Sequence, residues 1–211
     1  RGRDWSKAWD ERLSLFGLPE AHVNERLADL TGQLDNVKLG MLAEFPVIHV
    51  KLAASGPDPA ALDAALETAA HKVRSRIAKY VFSESGQCME AVVGQLLKER
   101  KATLALAESC TGGLIASRIT DVAGSSDYFL CSAVTYSNDA KMRLLGVSAR
   151  TLEANGAVSE QTVREMAQGA RQMVDADYGL AVSGIAGPGG GTPEKPVGTV
   201  CIGLCGPDGC F

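Results

Sequence analysis

Apolar and polar positions along the chain change period several times, and each change marks a predicted element. Over residues 19–30, Val23, Leu27 and Leu30 share one helical face. Residues 37–42 and 47–52 read as two strands, the second alternating Ile48, Val50 and Leu52 against Val47, His49 and Lys51. Asp58-Pro59 opens a helix, with Asp as cap and Pro in the first turn. Leu62, Leu66, Ala69, Val73 and Ile77 form that helix's apolar stripe, which runs to about Tyr80. A short polar break at residues 83–87 follows.

The second half alternates helices and strands. Met89, Val92, Val93, Leu96 and Leu97 recur at helical spacing. Strands are predicted at 103–106, 129–136, 178–183 and 199–204. Between them, Gly112-Gly113 opens one helix, Asn138 caps a second that ends at Gly146, and Ser159 caps a third. Val163, Met166, Ala167, Ala170, Met173 and Val174 form the third helix's stripe. This alternation predicts a three-layer α/β/α sandwich with a mostly parallel sheet, preceded by a small α+β unit. No internal repeat is present.

Composition narrows the picture. Apolar residues make up 45% of the 211 and charged residues 22%, an ordinary globular balance. A net charge of -4 gives no general attraction for nucleic acid or anionic membranes, so any phosphate site must be local. No apolar run approaches the roughly 20 residues that span a bilayer. Arg1-Gly2-Arg3-Asp4-Trp5 lacks the apolar core of a secretory signal. With no initiator Met, and an end at Phe211 inside a strand-and-turn pattern, the chain is expected to be a piece of a longer protein.

Cys201, Cys205 and Cys210 tempt a metal reading, but no C-x-x-C pair and no nearby His support it. The expectation for all six cysteines is reduced small hydrophobes in a cytoplasmic protein.

Ligands of α/β sheets bind beyond the carboxyl ends of strands, and three segments qualify. Ala107-Glu108-Ser109-Cys110-Thr111-Gly112-Gly113 joins a strand to a helix and presents hydroxyls and backbone N–H groups, which suits an anion or oxyanion. Gly184-Ile185-Ala186-Gly187-Pro188-Gly189-Gly190-Gly191 matches neither the Walker A nor the dinucleotide pattern, and is a candidate for backbone contact with a phosphate. Gly124-Ser125-Ser126, then Tyr136-Ser137-Asn138 with Lys141, supplies hydroxyls and an amine. His22, His49 and His71 all precede residue 87, so a Ser-His-Asp triad within the second half is excluded. A serine attacking here needs Lys, Tyr or a carboxylate to activate it. The histidines read as ordinary surface residues, His49 facing out from its strand.

Together these segments, with Gly156-Ala157-Val158-Ser159-Glu160 and Glu194-Lys195-Pro196-Val197-Gly198-Thr199, closely resemble the CinA C-terminal family, from about Cys88 to Leu204. The resemblance implies an amidohydrolase that converts nicotinamide mononucleotide and water to nicotinic acid mononucleotide and ammonia, with no metal and no cofactor. Carried over by motif, the nucleophile falls on Ser126, the base on Lys141, and supporting polar roles on Tyr136 and Ser109. Both serines stand as candidate nucleophiles. Substrate contacts fall on Glu108, Thr111, Gly112, Gly113, Asn138, Ser183, Gly184, Gly187, Gly189 and Gly190, with Glu108 available to the substrate's ring cation. Ser183 stands where the family often has Thr.

The first half is similar to the KH-like module that precedes this domain in CinA proteins. The expected organisation is a tail of a missing domain at 1–17, a KH-like unit at 18–82 and the amidohydrolase at 87–211. The family domain extends past the point equivalent to Leu204, through a basic segment and a final helix. No G-x-x-G clamp is evident, so RNA is not an expected partner. A homodimer or higher homo-oligomer is expected. The alternative is a non-catalytic nucleotide-binding or scaffold module.

Overall fold

The computed structural model describes residues 9–34 and 36–211, which form two compact units, 1–92 and 93–211. In the first unit, β1 (Trp9–Phe16) is followed by α1 (Glu20–Leu27), then the hairpin of β2 (Val37–Glu44) and β3 (Val47–Ala54). Next come α2 (Pro59–Ile77) and the short β4 (Val81–Ser83). The sheet order is β2-β3-β1-β4, with β1 antiparallel to both of its neighbours. Asp58 caps α2, its carboxylate accepting from Ala60 N at 3.0 Å. Leu66, Ala69, Val73 and Ile77 of α2 pack with Leu13, Leu15, Val50 and Leu52 into one core.

Two expectations change here. Residues 9–16, read as the tail of another domain, form an interior strand of this sheet; residues 1–8 of that tail lie outside the described residues. His49 does alternate away from the core, but it is buried rather than solvated. Its Nδ1 lies 2.9 Å from the hydroxyl of Ser14, its direct partner across β1 and β3. Strand alternation fixes which sheet face a residue takes, but not what covers that face.

The second unit begins within α3 (Met89–Arg100) and continues with β5 (Leu104–Glu108) and α4 (Leu114–Thr120). Then follow β6 (Phe129–Val134), α5 (Asn138–Leu145), α6 (Ala149–Asn155) and α7 (Glu160–Met173). The chain closes with β7 (Tyr178–Gly184), β8 (Val200–Gly206) and β9 (Gly209–Cys210). The sheet order is β6-β5-β7-β8-β9. β5 runs parallel to both β6 and β7, while β8 and β9 are added antiparallel.

Strand β5, interior to the sheet between β6 and β7, is buried along its whole length. On one face Ala105, Ala107 and Ala181 meet Leu145, Leu152, Val163, Met166 and Ala170. On the other, Leu104 and Leu106 meet Leu97, Ile119 and Tyr128. The alternation that the sequence shows is therefore a sandwich with helices on both sheet faces.

Cys205 and Cys210, expected as reduced thiols, are joined in a disulfide. The β8–β9 turn sets them directly opposite each other. Leu204 and Phe211 exchange backbone hydrogen bonds, so the next pair, Cys205 and Cys210, is the closely spaced kind, with Cα atoms 4.0 Å apart. The other four cysteines are free thiols.

Candidate active site

The carboxyl ends of parallel β5 and β6 lie side by side, with Glu108 paired to Val134. The chain leaves β5 through a tight turn at residues 109–113, in which Gly112 N donates to Ser109 O and both glycines are left-handed (φ 63° and 100°). A residue with a Cβ is strained in that conformation, which explains the glycine pair. Glu108 holds the turn from beneath. Its carboxylate is 0% exposed and accepts from the backbone N–H groups of Gly113 (3.0 Å), Ile115 (3.1 Å) and Ala116 (2.8 Å), and from the Ser132 hydroxyl at 3.4 Å. The carboxylate thus fills the N-terminus of α4, where orphan donors and the helix dipole favour an anion. That leaves it committed to the backbone, and the expectation that it meets a substrate cation is corrected.

Lys141 comes from the first turn of α5, which the Ser137 hydroxyl caps by accepting from Ala140 N. The cap is one residue earlier than the predicted Asn138, which is exposed at the helix start. Lys141 is 1% exposed, and its Nζ donates to Ser109 Oγ at 3.1 Å and to Thr135 O at 2.8 Å. Burial holds this amine below the ordinary lysine pKa, while the nearby Cys110 thiol acts in the opposite direction. An isolated buried ammonium is costly, so the neutral form gains. A buried serine hydroxyl and an amine with a depressed pKa thus meet at the end of two parallel strands.

Ser126 is elsewhere. It sits exposed in the short 3-10 turn at residues 125–127, before the amino end of β6, whereas Thr135 and Lys141 lie beyond its carboxyl end. The strand separates the two groups by on the order of 16 Å, at roughly 3.3 Å per residue. Lys141 therefore meets Ser109, and the assignment of Ser126 as its partner is corrected. Tyr136 follows Thr135 directly, but its side chain is 73% exposed and makes no hydrogen bond to Ser109 or Lys141.

The end of β7 closes the third side. Gly184 has no room for a side chain: a Cβ there would stand 2.9 Å from both Cys110 Sγ and Thr199 O. Ser183 is buried and donates its hydroxyl to Ala157 O at 2.8 Å, so its polar group is spent within the protein. In the following loop Gly187 takes φ 80° and packs on Val197, whereas Gly189 faces open space and Gly190 (φ 86°) meets only Ile185. Gly189 and Gly190 thus leave backbone accessible to a ligand. Thr111 and Thr135 each carry a buried hydroxyl with no protein partner.

Three participants escaped the sequence reading. Thr135 acts through its main-chain carbonyl, which no side-chain pattern reveals. Cys110 lay inside a quoted motif without a role. Lys195 donates to two distant carbonyls, a link between segments some 40 positions apart. Among the described residues no cluster of three His, Cys, Asp or Glu could hold a metal, and no helix is long and apolar enough to cross a membrane.

Comparison with known proteins gives a consistent answer for both units. The family model for the CinA C-terminal domain matches residues 86–211, and that for the damage-inducible protein CinA KH domain matches residues 10–83. A CinA-like protein of Desulforapulum autotrophicum is 52% identical over 209 residues, covering 99% of this chain and 49% of that protein. Another, of Desulfosudis oleivorans, is 54% identical over 197 residues, covering 93% and 48%. The chain therefore spans about half the length of these relatives. The crystal structure of competence/damage inducible protein CihA from Agrobacterium tumefaciens matches with a TM-score of 0.56 and 45% identity, covering 58% of this chain and 74% of that one.

Proposed function

The chain belongs to the CinA family, and we propose that its second unit is an amidohydrolase that converts nicotinamide mononucleotide and water to nicotinic acid mononucleotide and ammonia. The observation that carries the reading is the 3.1 Å approach of the Lys141 amine to the Ser109 hydroxyl in a buried setting that lowers the lysine pKa.

In this mechanism neutral Lys141 takes the Ser109 proton as Oγ attacks the carboxamide carbon. The carbonyl of Thr135 fixes the amine's direction. The backbone N–H groups of Cys110 and Thr111, which donate to no backbone carbonyl among the described residues, receive the oxyanion. One such donor is typically worth about 3–4 kcal/mol. The Lys141 ammonium then protonates the departing nitrogen, and ammonia leaves. Water, deprotonated by the same amine, attacks the acyl-serine; the carboxylate product departs and Ser109 recovers its proton. The Thr111 hydroxyl and the backbone of Gly189 and Gly190 contact the substrate, the two glycines at its phosphate. The reaction uses no metal and no cofactor. The reading places the protein in the cytoplasm as a homo-oligomer.

Ammonia release from nicotinamide mononucleotide tests this directly. Release by this chain, lost in Ser109→Ala, is the expected result. Saturable mononucleotide binding without ammonia from the unmodified chain would leave the non-catalytic reading in its place.

A further inference from the structure

Two of the segments singled out in the sequence, Gly156-Ala157-Val158-Ser159-Glu160 and Glu194-Lys195-Pro196-Val197-Gly198-Thr199, have no part in the chemistry above. The structure connects them. Lys195 Nζ donates to Asn155 O at 2.9 Å and to Val158 O at 2.8 Å, and Ser183 Oγ donates to Ala157 O at 2.8 Å. Ser183 stands at the start of the glycine-rich loop and Lys195 near its end. Both sides of the loop are therefore fastened to the same connection between α6 and α7.

The connection is itself made rigid. The hydroxyls of Ser159 and Thr162 both donate to Gly156 O, and Ser159 caps α7. Asn155 ends α6, so its carbonyl lies at the negative end of that helix, where a cation is favoured. Within the loop, Ile185 N donates to Thr199 O and Gly198 N to Ile185 O, which close its base. Thr192 N donates to Lys195 O, and Lys195 N to Thr192 Oγ1, which close its far turn. The far turn thus reaches the body of the unit through the Lys195 ammonium. No carboxylate partner of that ammonium is found among the described residues.

We propose that Lys195 is a positioning residue that moors the glycine-rich loop to the α6–α7 connection, holding the Gly189 and Gly190 backbone where the substrate docks. Lys195 touches no substrate; it acts through the loop. Its kinetic consequence rests on the amidohydrolase reading, while the mooring itself does not.

The test uses Lys195→Met, which keeps the unbranched stem of the side chain and removes the ammonium, beside Lys195→Arg and Ser183→Ala. Hydrogen exchange followed by mass spectrometry reads the loop without any activity. Faster exchange over residues 185–199 in Lys195→Met, with exchange in β5 and α7 unchanged and partial recovery in Lys195→Arg, is the expected result. Ser183→Ala is expected to loosen the same peptides and decides the matter if Lys195→Met does not fold. Unchanged loop exchange in a folded Lys195→Met overturns the mooring. With nicotinamide mononucleotide, KM is expected to rise about tenfold or more while kcat stays within about threefold, the pattern of lost ground-state binding. A fall in kcat at constant KM overturns the positioning role. If the unmodified chain releases no ammonia, the amidohydrolase reading fails, and the exchange experiment still decides the mooring.

Discussion

The Nζ of Lys141 lies 3.1 Å from the Oγ of Ser109, although 32 positions separate them in the chain. The contact exists because β5 and β6 run parallel with Glu108 level with Val134, which sets the residues after each strand side by side. It joins a buried amine to a buried hydroxyl in a unit that contains no histidine.

The two serines are expected to behave differently. Ser109→Ala should lower ammonia release by roughly 100-fold or more, the scale of losing an activated nucleophile. Ser126→Ala, at the far end of β6, should retain turnover close to that of the unmodified chain. Steady-state kinetics with nicotinamide mononucleotide decide between them, and the reverse pattern would return the nucleophile to Ser126.

The depressed pKa of Lys141 predicts the sign of the pH dependence. Only the neutral amine accepts a proton, so kcat/KM should rise with pH through the lysine's pKa. Because burial lowers that pKa from 10.5, the rise should be centred below that value. Lys141→Ala should abolish this limb and slow the reaction by about 100-fold or more. For stability, the folded state binds this proton less readily than the unfolded chain. The penalty is therefore fully present below the folded pKa and fades as pH rises through the unfolded one. Lys141→Met should thus raise the urea midpoint at neutral pH, even as activity is lost.

Glu108 is expected to act through the fold. In Glu108→Gln an amide N–H₂ replaces one of two acceptor oxygens facing three backbone donors and a hydroxyl. A buried donor left unpaired costs about 1–3 kcal/mol, so a loss of roughly 2 kcal/mol in urea unfolding is expected. If Glu108 instead served a substrate cation, the substitution would raise KM and leave stability unchanged.

Gly184→Ala should damage the site by crowding. The added methyl would press on Cys110 Sγ and on the backbone carbonyl of Thr199, and the backbone cannot yield cheaply. Overpacking of this kind typically costs about 1–3 kcal/mol. A lowered melting midpoint, with kcat/KM reduced by displacement of Cys110, is the expected outcome.

Much of this was legible beforehand for a local reason. Helices such as α2 and α7 show their buried faces as apolar stripes, and their caps, Asp58 and Ser159, announce their starts. The same sequence set Lys141 beside Ser126 rather than Ser109 because both serines sit in Gly-bordered hydroxyl turns. What ranks them is which end of a strand they occupy: Ser109 follows β5, whereas Ser126 precedes β6. The misreading of Glu108 has a related cause. A carboxylate beside a strand end looks free until the helix donors it accepts from are seen.

By itself, the sequence determined the two-unit order, the α/β class of the second unit and the absence of a histidine there. These follow from periodicity, capping and residue inventory, which are properties of neighbouring positions. The tertiary structure alone decided that Lys141 meets Ser109, that Glu108 is a helix cap, that Cys205 and Cys210 are joined, and that Lys195 reaches the α6–α7 connection. Each depends on strand register or loop closure, which bring together positions whose separation in sequence carries no record of their distance in space.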